Sequence, residues 1–427
     1  MQDERGAGRT GWIVPPAAGS RGLGSGPGPT LEGAPLAAPR GRPPVPVDHR
    51  HQRRDGPRPV PRCRLGRSTV PAAPPRIQDS VRRLVSLGPS RVDHVPALRI
   101  SLGLALPLTV LLLTGRIEWA MYVGFGAFTG IYSRYEPTAL RFRRQSTAGV
   151  MLVVCVTLGA SLAQLGEVLP PVAESWTTLM VSAVVAGLAA TLVMVAGLKP
   201  GGAIFPLFAI AAIGAAPPAA PIWVALLVSA SAAALCVGLG LLGHWAGERH
   251  PGAGTDPPRE RWTRGQMVSE FARFAAVAAV AGAVGLASGL PYPYWAQIAA
   301  ITLLTPPGRT LQVERGLQRV IGTVLGIGTT AFLLSFPAEP WQLVAWVVIL
   351  QFLAEMYVLR NYAFALLFIT PLALLMVQLG HPQPVGPMLA ARVLETAIGA
   401  VVGIAGVVLV ALWDRRATAR ASVPERV

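Results

Sequence analysis

Charged residues are scarce in this chain. Asp, Glu, Lys and Arg make up 14% of its 427 residues, against about 25% in an ordinary soluble domain. A water-facing globule of this size could not cover itself with so little charge, which points to a core buried mainly in lipid. Lysine is nearly missing: of 37 basic residues only Lys199 is not arginine. With the heavy use of Ala, Gly and Pro, that bias reflects a GC-rich coding sequence and not a function. Cysteine is equally sparse. Cys63 lies in a Pro- and Arg-rich head, and Cys155 and Cys236 fall inside apolar runs. Neither a disulfide framework nor a metal-ligand spacing is present.

Acidic residues number 21, which leaves a formal charge of +16. No nucleic-acid module or aromatic–basic platform accompanies that charge, so nucleic acid is excluded as a partner. Arginines gathered on one set of membrane loops explain it instead. There is no phosphate-cradling P-loop, no HExxH and no nucleophile elbow. The chain is therefore expected to have no catalytic residue, no metal and no cofactor, and to be no enzyme.

What is abundant is apolar sequence, 52% of the residues, with a mean hydropathy of +0.49. Residues 1–95 lack apolar periodicity and any signal-peptide layout, so a disordered cytoplasmic head is expected. It serves either as a basic arm on anionic lipid or arises from a start site placed too early. Beyond it, apolar runs alternate with short polar turns. The predicted spans are 97–115, 118–133, 147–168, 175–196, 202–216 and 220–243, then 271–290, 293–306, 317–336, 341–359, 361–380 and 389–413. This is an all-α polytopic membrane protein of about twelve transmembrane helices, taking about 20 residues per span. Its organisation reads as a first six-helix half (96–246), a cytoplasmic linker (247–268), a second half (269–413) and a cytoplasmic tail (414–427).

The two halves repeat one layout. Trp119 and Arg143 stand 24 residues apart, as do Trp295 and Arg319, and each pair frames a short apolar run, a basic turn and a Gly-rich run. The short spans 118–133 and 293–306 occupy matching places. The halves are expected to be parallel pseudo-repeats, with the substrate path between them. Alternate loops hold Arg134, Arg141, Arg143 and Arg144, then Lys199, Arg309, Arg315 and Arg360, while the opposite loops hold Glu167, Glu174, Glu339 and His381. The positive-inside rule places both termini in the cytoplasm and the protein in the inner (plasma) membrane.

Several residues carry the functional expectation. Arg143, Arg144 and Arg319 cluster at cytoplasmic helix ends. Arg315 and Arg319 are one turn apart, and Thr323 lies one turn deeper, so an organic carboxylate could meet guanidinium and hydroxyl together. Lipid phosphate and topology are the plainer uses of these arginines. Pro206 and Pro371 break the fifth span of each half, with Thr370 beside the second, and matched breaks point to a transport path. Glu355, Arg392 and Glu395 are the most deeply placed ionisable groups and the candidates for proton coupling. Arg392 and Glu395 lie three apart, so they can also pair. Trp119, Trp295 and Trp341 sit at outer helix ends, which suits interfacial anchoring or, for the first two, stacking on an aromatic substrate. The GxxxG pairs Gly126/Gly130, Gly322/Gly326 and Gly399/Gly403 should seat helices closely.

Three segments carry a family resemblance: EWAMYVGFGAFTGIYSRYEPTALRFRR (118–144), YWAQIAAITLLTPPGRTLQVERGLQRVIGTVLG (294–326) and RNYAFALLFITPLALLM (360–376). Together they resemble the fusaric-acid-resistance family, part of the aromatic acid exporter group, most specifically through Arg319–Gly322–Thr323 and the run from Asn361 to Leu372. The resemblance implies secondary efflux of small organic, often aromatic, acids. It extends more distantly to plant malate channels, so an anion channel is the alternative, and a non-transporting membrane scaffold is a third. The partners expected are a small organic anion and the lipid bilayer, and a homo-oligomer is compatible with all of this.

Overall fold

In the computed structural model, residues 86, 88, 93–243, 261–306 and 308–421 are described, with side chains as far as Leu409. Most of the predicted head and the linker stretch 244–260 lie outside them. The described residues contain twelve α-helices and no strand. The first six are α1 (His94–Leu113), α2 (Ala120–Ala127), α3 (Thr138–Gly166), α4 (Pro171–Ala196), α5 (Ile204–Gly214) and α6 (Ile222–Leu242). The second six are α7 (Arg264–Ala287), α8 (Tyr294–Thr302), α9 (Arg309–Leu333), α10 (Pro340–Tyr357), α11 (Tyr362–Gly380) and α12 (Val385–Ala421).

Nine of the described helices are long and apolar enough to cross a membrane. Helices α2, α5 and α8 have 8, 11 and 9 residues, about 12–17 Å at 1.5 Å per residue, roughly half the hydrocarbon thickness. Two short elements were expected; α5 is a third. The chain from Gly197 to Ala203 is non-helical, with left-handed glycines at Gly197 and Gly202, and this stretch takes the place of the first turns of a span. Pro206 therefore does not kink a long helix as expected. It is the third residue of α5, in the first turn, where a missing N–H has no helical partner to lose. Pro371 does lie inside its helix, α11, and is buried.

Half-length helices leave free backbone groups at membrane depth, which is tolerated only inside protein. Every residue of α2 and of α8 is buried. Their aromatic side chains meet at the centre. Phe125 of α2 lies 4.9 Å from Phe208 of α5, and Phe208 lies 4.8 Å from Trp295 of α8.

The same neighbour relations recur in each set of six. Within α1–α6, helix α3 packs on α5 and α6, and α2 packs on α1 and α6. Within α7–α12, α9 packs on α11 and α12, and α8 packs on α7 and α12. Two long seams join the sets, α4 against α7 and α1 against α10. An ion pair lies beside the α1–α10 seam: Arg134, in the turn between α2 and α3, pairs with Glu355 of α10 and also donates to its carbonyl at 3.1 Å. Gln351 donates to the same carboxylate at 3.0 Å. The α4–α7 seam is built from small and neutral groups. A Cβ added at Gly187 would lie 2.7 Å from the Phe271 carbonyl oxygen, and the Thr191 hydroxyl donates to the Met267 carbonyl at 3.5 Å; alongside, Ser182 of α4 donates to Gln297 of α8 at 3.1 Å.

The glycine pairs seat helices as expected. A Cβ at Gly322 would come within 2.6 Å of the Ala363 carbonyl oxygen of α11, one at Gly326 within 2.5 Å of the Leu366 carbonyl oxygen, and one at Gly399 within 2.7 Å of Ala299. Backbone cannot retreat as a flexible side chain can, so overpacking of about 1–3 kcal/mol is expected on substitution. Gly326→Val should lower the midpoint of thermal unfolding, whereas Gly328→Val, where nothing lies within 4 Å, should not.

Candidate functional site

Hydropathy alone starts the ninth span at residue 317, because the polar turn before it looks like a loop. That turn is helical, and α9 begins at Arg309. Arg319 therefore stands ten residues in, about 15 Å from the helix start. This corrects its expected place at a helix end. It is 4% exposed. Its Nη1 donates to the Tyr362 hydroxyl at 2.8 Å, and the Arg315 guanidinium lies 3.7 Å from the centre of the same ring.

A second buried guanidinium approaches from α12. Arg392 is 1% exposed and sits 3.7 Å from the centre of the Trp295 ring. It lies within electrostatic reach of Arg319, Tyr294, Tyr362 and Glu395. Trp295 is itself 1% exposed, so it is no interfacial anchor; it forms the floor beneath a cation. Trp119 is partly exposed, under Arg116 at 5.4 Å, and takes no part in this cluster. Trp341 is largely exposed, as an anchor should be.

Arg392 and Glu395 make no ion pair. Glu395 accepts the Tyr292 backbone N–H at 2.9 Å and also bonds the backbone of Trp295. It thus caps the positive end of short helix α8, which draws its charge away from Arg392. The result is a buried cluster rich in cations. Its unpartnered buried atoms are Nε of Arg315, Arg319 and Arg392, Nη1 of Arg392, the Thr323 hydroxyl and Oε2 of Glu395, with the open Thr370 hydroxyl further along α9 beside Gly326. Buried donors are almost always paired in native proteins, and buried cations without partners are costly. Donors left open around one place on three helices are the chemistry of an anion site.

The other expected residues sit elsewhere. Arg143 is exposed, and Arg144 pairs with Glu136. Glu355 pairs with Arg134 and accepts from Gln351. In the first set, Gln145 lies 25 residues beyond Ala120, the first residue of α2, as Arg319 lies 25 beyond Tyr294 of α8. The neutral Gln145 amide donates to the carbonyls of Gly130 and Tyr132 at 3.2 and 3.1 Å. The Arg319–Arg392 cluster lies in the second set; the first set has its own buried arginines, Arg99, Arg134 and Arg141. Tyr362, Tyr294 and Arg134 were missed, although each stands in a segment that carried the family resemblance. Among the described residues no group of His, Cys, Asp and Glu could hold a metal ion.

This is a multi-pass helical membrane protein. Residues 278–406, which span the cluster and most of α7–α12, match the family described as fusaric acid resistance protein-like. The chain is also 33% identical over 143 residues to the uncharacterized membrane protein YvaC of Bacillus subtilis (strain 168). That match covers 33% of this chain and 22% of the relative's length. No solved structure matches the chain.

Proposed function

We propose that the chain exports small organic acids, aromatic ones foremost, across the cytoplasmic membrane. The observation that carries this reading is the buried guanidinium pair of Arg319 and Arg392, each with a donor left open, beside Trp295 and Tyr362. An arriving carboxylate satisfies those donors and the hydroxyls of Thr323 and Thr370, while its ring meets Trp295, Tyr294 or Tyr362. Mid-depth binding between helices broken into short pieces is the usual arrangement of secondary transporters. The shared neighbour relations of α1–α6 and α7–α12 support an internal repeat, and the arginine-bearing loops support cytoplasmic termini.

The α4–α7 seam is the one able to part, since its described contacts include no ion pair. Beside it, a cleft of about 100 Å³ lies between α4, α5 and α8, lined by Glu174, Thr178, Tyr294 and Gln297. The Tyr294 ring lies 4.8 Å from Trp295, so the cleft leads to the arginine cluster. Glu395, with one carboxylate oxygen unpartnered, is the coupling group that remains once Glu355 is paired.

Efflux from proteoliposomes, run against a panel of aromatic and aliphatic acids under an imposed proton gradient, tests this. Saturable, gradient-driven movement that Glu395→Gln uncouples is the expected result. Sustained current with Glu395 neutralised would make the protein an anion channel. No flux of any acid would sink the proposal.

A further inference from the structure

The outer wall between α3 and α4 holds a groove that the arginine cluster does not use. It has a volume of about 580 Å³ and is lined by Val150, Val154 and Leu158 on one side and Leu188 and Leu192 on the other. Its floor is Met151, Cys155 and Ala189, each under 8% exposed, while Val150 is 68% and Leu188 57% exposed. Ser146 and Thr147 close one end. Arg143 stands three and four residues before them, so all three share one helix face with Val150, Val154 and Leu158. Of the neighbouring cations, Arg144 is paired with Glu136 and Arg141 donates to the Gly240 carbonyl. Arg143 is exposed, and its side chain makes no ion pair or hydrogen bond.

The dimensions choose the occupant. From Arg143 to Leu158 is fifteen residues, about 22 Å, and the apolar stretch from Thr147 is about 16 Å, roughly one leaflet of the hydrocarbon core. We infer that this groove is a site for one anionic phospholipid, its acyl chain lying between α3 and α4 and its phosphate on Arg143. The hydroxyl of Ser146 completes the headgroup end. A lipid anchored there fills the gap between two helices whose apolar walls are otherwise left open, and it ties occupancy to headgroup charge.

Purified protein equilibrated with an equimolar mixture of phosphatidylglycerol and phosphatidylethanolamine tests the site, with retained lipid counted by native mass spectrometry. The wild type should keep one phosphatidylglycerol per chain in preference to phosphatidylethanolamine. Arg143→Gln should cut that preference about fivefold without removing lipid altogether. Ala189→Phe, which raises the floor, should displace lipids of both kinds. Val150→Trp, at an exposed rim position, serves the same end should Ala189→Phe not fold. Equal retention of both lipids by the wild type, an unchanged preference in Arg143→Gln, or unchanged retention in both groove variants would overturn the site. So would a dimer whose formation covers the groove and leaves no lipid there.

Discussion

Proteoliposomes carrying Arg319→Gln or Arg392→Gln should lose organic-acid efflux almost completely. A hydrogen bond to a charged group contributes about 1.5–3 kcal/mol, so removing either guanidinium should weaken carboxylate binding by about ten- to a hundredfold. Both side chains lie in one buried cluster with open donors, so their effects should not add; the double variant should be little worse than the more damaged single one. Thermal stability is the control. Deleting one of several crowded cations relieves repulsion, and both variants should unfold at or above the wild-type temperature. Flux close to wild type in Arg319→Gln would remove the cluster from the path.

The second large effect lies beside the α1–α10 seam. Arg134 and Glu355 are both about 6% exposed at the side chain, so deleting one leaves the other buried and unpaired. Glu355→Ala should destabilise the protein by about 3–5 kcal/mol, whereas replacing both by methionine should restore most of that. Thermal unfolding in one detergent separates the cases. If Glu355 served mainly as a proton carrier, Glu355→Gln would abolish coupled transport and leave stability untouched. The ion pair predicts the reverse emphasis: a clear loss of stability, with coupling kept in whatever protein stays folded.

Much of this fold was legible in the sequence because lipid leaves so few solutions. Apolar runs of about 20 residues must be helices, and all twelve expected elements are present among the described helices. The GxxxG pairs were readable for the same reason: glycine leaves room for a neighbouring backbone. The misses came from polar residues inside helices. Arg309 and Arg315 made the start of α9 look like a loop, which put Arg319 at a helix end when it lies buried ten residues inside the helix. Helix spacing let Arg392 and Glu395 pair, but the N-terminus of α8 is the better partner for the carboxylate. Sequence spacing cannot show a partner on another helix. Trp295 was misread similarly, since a tryptophan at a span boundary is ordinarily an anchor, and only the brevity of α8 carries it into the core.

Equilibrium binding of radiolabelled benzoate to the purified, lipid-reconstituted protein tests the central claim most directly. The Arg319–Arg392 cluster lies in the second six helices, while in the first set the Gln145 amide donates to the Gly130 and Tyr132 carbonyls. The account therefore predicts one saturable site per chain, competed by other carboxylates and lost in the Arg319→Gln/Arg392→Gln double variant. Two equivalent sites per chain, or binding undiminished in that variant, would contradict it.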